Sequence, residues 1–163
     1  MIRSLCCLAA GCLWLSLATA ALGQESVLLF RQDRKAVSAT SYAPLKDHCR
    51  GIAALSPQGV GPIFPPNAWR EISKPVLMIT GTRDDGLGGA SWETRQEAYK
   101  NMPEGCHWLG IIDDATHMHF AGRGMSRRTE ALTVHAVQEF LLGFHQGDCR
   151  QPQREPGIAM QVK

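Results

Sequence analysis

Pro75-Val76-Leu77-Met78-Ile79-Thr80, followed at once by Gly81-Thr82-Arg83-Asp84-Asp85-Gly86, is the stretch that decides how this chain is read. Its apolar residues are consecutive, whereas a strand with one wet face alternates apolar and polar side chains. A continuous run suits a parallel strand covered on both faces. The Gly-Thr-Arg-Asp-Asp-Gly stretch then breaks the strand with turn chemistry.

Two similar runs flank it. Ile52-Ala53-Ala54-Leu55 is stopped by Ser56-Pro57-Gln58-Gly59, and Trp108-Leu109-Gly110-Ile111-Ile112 precedes Asp113-Asp114. Between the first two strands, Pro62, Pro65 and Pro66 exclude regular structure except for one turn near Ala68 to Ile72. Between the second and third, Trp92 to Met102 is polar-rich and helix-compatible, ending before Pro103. After the third, Leu132, Val134, Val137, Phe140, Leu141 and Phe144 recur at helical spacing from about Arg127 to His145, and Gly147-Asp148 ends that helix. Strand, crossover, strand, crossover, strand and helix make an α/β class: about three parallel strands, flanking helices and a C-terminal helix, within residues 50–148. Residues 24–49 read as irregular around the patch Val27-Leu28-Leu29-Phe30, with the strand at Ile52 left as an open apolar edge. Residues 149–163, with Pro152 and Pro156, read as a loose tail.

Residues 1–23 differ from the rest. Arg3 precedes the apolar run Leu5 to Leu15, and Ala18-Thr19-Ala20 supplies a small-residue cleavage pattern. This describes a secretory signal peptide, too short and wrongly flanked for a stable membrane span, and hence a secreted or periplasmic protein. Ala10-Gly11-Cys12 is only a faint lipoprotein signal, because the apolar run continues past Cys12.

With 163 residues and 44% hydrophobic content, the chain supports one domain with one modest core. A formal net charge of +2 gives no footprint for nucleic acid, and the one local basic cluster, Arg123, Arg127 and Arg128, reads as a helix flank or a solvated face. Cys49, Cys106 and Cys149 remain after the leader, so export predicts one disulfide and one free thiol, with the pairing open.

Ligands of parallel sheets sit beyond the C-terminal ends of the strands, which directs attention to the loops after Leu55, Thr80 and Ile112. Two of them carry acid and base: Asp84 (with Asp85 as competitor) and, in Asp113-Asp114-Ala115-Thr116-His117-Met118-His119-Phe120, His117. Taken singly, Asp-Asp-Gly is ordinary turn chemistry and a histidine after a strand is usually packed or solvated. Adjacent strand ends and chain order favour a carboxylate–histidine pair instead, in which the acid fixes the tautomer of the base. A lesser alternative places His117 and His119 on one strand face, where Asp85, Asp113 or Asp114 would join them around a divalent metal, although spacing indicates no third or fourth ligand. His135 and His145 fall in the terminal helix and read as ordinary.

In motif order, residues 50–148 resemble the C-terminal part of the α/β-hydrolases, closest in flavour to the dienelactone hydrolase, chlorophyllase and polyester hydrolase group. The likeness rests on Leu55-Ser56-Pro57-Gln58-Gly59, Thr80-Gly81-Thr82-Arg83-Asp84 and His117-Met118-His119-Phe120. It implies a carboxylic-ester hydrolase with Asp84 as triad acid and His117 as general base, a small-molecule ester as substrate, and no cofactor or metal. It also offers a second reading of Leu15 to Gln24, as the end of the helix that follows the family's nucleophile.

The nucleophile itself is not found. No G-x-S-x-G elbow occurs in the sequence, and the family's oxyanion-hole loop is absent too. Ser56 precedes Pro57, which denies it a helix N-terminus; Ser41 lacks elbow glycines; Cys49 precedes its strand. The expectation is therefore a truncated or degenerate hydrolase retaining an acid–histidine dyad. The alternative is a non-catalytic interaction protein that oligomerises or takes a partner through the open edge.

Overall fold

The computed structural model describes residues 27–31, 50–61, 64–86, 89–121, 124, 126–147, 149 and 152–163. The leader, Ser41 and Cys49 lie outside the described residues. Strands β1 (Val27–Arg31), β2 (Gly51–Leu55), β3 (Val76–Arg83), β4 (His107–Thr116) and β5 (Ile158–Val162) form one sheet in sequence order. β1 to β4 are parallel, and β5 is antiparallel to β4. This is a general α/β fold with a mostly parallel sheet.

The continuous apolar runs are explained by cover on both faces. Along β3, Leu77 and Ile79 enter one core while Val76 and Met78 enter the other. The first core lies under helix α3 (Arg127–His145), whose Leu132, Ala136, Val137 and Phe140 pack on Trp108 and Ile112. Trp108 and Phe140, both essentially inaccessible, meet edge to face with ring centroids 5.6 Å apart. The second core is capped by the 3₁₀ turns Pro66–Trp69 and Trp92–Gln96 and helix α1 (Glu97–Asn101), which contributes Ala98 and Tyr99. Burying each large side chain stabilises the fold by about 1.5–3 kcal/mol, so the two layers hold the sheet from both sides. Ser126 starts α3 by accepting a hydrogen bond from the Thr129 backbone N–H at 3.0 Å through its Oγ.

Two segments differ from expectation. The tail is not loose: Ile158, Met160 and Val162 alternate with the exposed Ala159 and Gln161, and β5 pairs with β4 from Trp108↔Val162 to Ile112↔Ile158. Nor is the Ile52 strand an open edge: Val27–Arg31, expected to be irregular, pairs in parallel with β2. Among residues 24–49, these five alone are described. Cys106 and Cys149 form a disulfide with a Cα–Cα distance of 5.4 Å, joining the start of β4 to the segment after α3. Among the described residues, no helix is long and apolar enough to cross a membrane.

Candidate functional site

The site forms where β2, β3 and β4 reach their C-terminal ends, and a local irregularity in β4 creates it. Gly81 pairs with Ile112 and Arg83 with Thr116, so Asp113, Asp114 and Ala115 all stand opposite Thr82. Asp114 takes the left-handed conformation (φ 59°), and its backbone N–H donates to Thr82 Oγ1 at 2.9 Å. The bulge folds Ala115 onto Gly81, where a Cβ would fall 2.2 Å from the Ala115 carbonyl oxygen. Only glycine fits there. Thr116 then caps the short helix α2 (His117–Phe120), and His117 is its first residue.

Asp84 is completely buried, and each of its oxygens has a polar partner. Thr80 Oγ1 donates to Oδ2 at 2.9 Å, Ser56 Oγ donates to Oδ1 at 2.9 Å, and the Arg95 Nε lies 3.0 Å from Oδ1. His117 Nδ1 is 3.1 Å from the same Oδ1 and 2.8 Å from Ser56 Oγ. An ionised carboxylate only accepts hydrogen bonds, so this geometry places the proton of a neutral imidazole on Nδ1. Nε2 is then the basic nitrogen. Among the described residues it has no hydrogen-bond partner, and the side chain is 26% exposed.

Arg95 ties the loops together. Its Nη1 donates to the carbonyls of Ser56 and Pro57, each at 3.2 Å, its Nη2 to that of Asp85 at 3.5 Å, and its Nε to that of Asp84. Nη2 also comes within 3.3 Å of His117 Nδ1. Two donors cannot bond one another, and the nearer charged carboxylate takes the ring proton. Burial pulls the guanidinium below its ordinary value, against the opposing pull of Asp84 and Asp85. Gly59 permits this docking, since a Cβ there would sit 2.1 Å from the Thr94 carbonyl oxygen.

The pair expected from sequence, Asp84 and His117, is thus brought together. Asp85, the competing acid, is exposed and accepts from the Trp92 backbone N–H at 3.1 Å. The two histidines do not converge: both lie on α2 rather than on a strand, and His119 Nδ1 accepts from the Thr116 backbone N–H at 3.2 Å. Asp113 and Asp114 are exposed, and no group of three ligands able to hold a metal forms among the described residues. Ser56, set aside as a nucleophile, does enter the site, but on the wrong nitrogen. A nucleophilic serine belongs at the base's Nε2, opposite the acid. Ser56 shares Nδ1 with Asp84, is 2% exposed, and is held at φ 51° with its backbone N–H bonded to the Ile79 carbonyl at 2.6 Å. Arg95 went unnoticed in the sequence because a lone cation in a polar-rich helix carries no sign of burial.

No protein-family model matches the chain, and no curated protein matches it.

Proposed function

We propose that this chain is an α/β-hydrolase-like protein of carboxylic-ester hydrolase type, degenerate in that its described residues supply the acid and base of a proton relay without a nucleophile. The observation that carries this is the 3.1 Å approach of the buried Asp84 carboxylate to His117 Nδ1 at the C-terminal strand ends. A carboxylate there holds the imidazole in one tautomer and stabilises its protonated form, leaving Nε2 to take a proton from a hydroxyl or water. Substrates would be small-molecule esters. The Cys106–Cys149 disulfide supports export to an oxidising compartment, secreted or periplasmic.

Two measurements test this. ¹⁵N spectra of histidine-labelled protein should show His117 as the Nδ1–H tautomer, and Asp84→Asn should abolish that preference; an unchanged tautomer in Asp84→Asn would sink the dyad. With p-nitrophenyl butyrate, turnover should stay at the buffer background. Robust hydrolysis lost in His117→Ala would overturn the inactive assignment.

A further inference from the structure

A carboxylate removed wholly from water is costly unless it is paired and every lone pair is satisfied. Among the described residues Asp84 is paired with the guanidinium of Arg95, itself 6% exposed, and each of its oxygens accepts a hydrogen bond. The same guanidinium reaches carbonyls from two separate exit loops: Ser56 and Pro57 after β2, and Asp84 and Asp85 after β3. Its Nη2 also borders the imidazole that follows β4. Its fork is planar and its five N–H donors fixed in direction, so these contacts define a single position for the loops relative to each other.

We infer that Arg95 is the positioning residue of the Asp84–His117 pair. It touches no reacting atom. It holds Asp84 Oδ1 at the distance and angle from which the carboxylate selects the His117 tautomer, and it fixes the left-handed Ser56 whose Oγ completes the Nδ1 side. This rests on the acid–base reading of the dyad, and the two can fail separately.

The same ¹⁵N tautomer measurement tests it, with the Trp108 indole resonance as a report on folding far from the site. Arg95→Lys keeps a charge but loses the fork. It should lower the ratio of Nδ1–H to Nε2–H tautomer at His117 by about fivefold, the worth of one net hydrogen bond. Arg95→Gln, which loses the charge as well, should lower it further. If Asp84→Asn changes the tautomer while both Arg95 variants keep the wild-type ratio, Arg95 does no positioning and the dyad stands. If Asp84→Asn leaves it unchanged, the dyad itself is wrong. Loss of the folded Trp108 signal in both Arg95 variants would make the residue a purely structural one and overturn the inference.

Discussion

Ser56 Oγ and Asp84 Oδ1 lie on the same side of the His117 ring, 2.8 and 3.1 Å from its Nδ1. A hydroxyl so placed steadies the acid–base pair and cannot attack from the base's free nitrogen. A serine-directed fluorophosphonate should therefore leave Ser56 unlabelled. Ser56→Ala should cost about 1–3 kcal/mol in urea unfolding, because Asp84 and His117 lose a buried partner. Covalent labelling at Ser56, read by peptide mass spectrometry, would contradict this placement.

Gly81→Ala should be among the most damaging single substitutions. Its new Cβ meets the Ala115 carbonyl, which the bulge holds in place. A backbone neighbour cannot swing aside as a side chain can, so the expected loss is about 3 kcal/mol or more. His117 should also lose its Nδ1–H preference, since the displaced bulge carries it away from Asp84. A urea midpoint within a few per cent of wild type would count against the bulge geometry.

His107 sets an acid limit on stability. Its ring is fully buried, and neither nitrogen has a hydrogen-bond partner among the described residues. Burial, reinforced by the charge of Lys163 and opposed by Glu104, holds the imidazole below its ordinary value of 6.5. Over the interval between the two values the unfolded chain binds more protons than the folded one. Stability is therefore full above about pH 6.5 and falls as the pH drops below it. Urea midpoints measured from pH 7.5 to 5 should decline in the wild type and decline less in His107→Phe. Equal slopes would remove His107 as the cause.

The Cys106–Cys149 bridge closes a loop across a sequence separation of 43. Chain entropy assigns such a crosslink about 4 kcal/mol. Reduction, or the double substitution Cys106→Ser and Cys149→Ser, should lower unfolding stability by a comparable amount while leaving the Asp84–His117 contact in place. Unchanged stability under reductant would mean that the pair is not bridged in solution.

Much of the frame was legible because its signals are local. The runs at Ile52, Val76 and Trp108 and the 3.6-residue spacing from Leu132 to Leu141 name their own elements, and strand order then places Asp84 beside His117. What escaped depends on distant parts of the chain. Val27–Arg31 is a short apolar patch until β2 offers it a ladder. Ile158-Ala159-Met160-Gln161-Val162 does alternate, yet Pro152 and Pro156 nearby read more strongly as a loose end. Arg95 is polar by composition and buried because the loops after β2 and β3 supply its acceptors. The His117–His119 face failed because the chain turns helical at His117, which separates side chains two apart.

The bulge opposite Thr82 also works as a detour of fixed length. Between its two flanking pairs β3 advances by two residues and β4 by four, which leaves two surplus residues on β4. The left-handed turn at Asp114 takes them up by returning Ala115 to the core that Ile112 enters three residues earlier, which plain alternation would not allow. Shortening 113–115 would remove that turn and draw Thr116 and His117 away from Asp84, so the length of this segment and its one left-handed residue together set where the sheet receives the base.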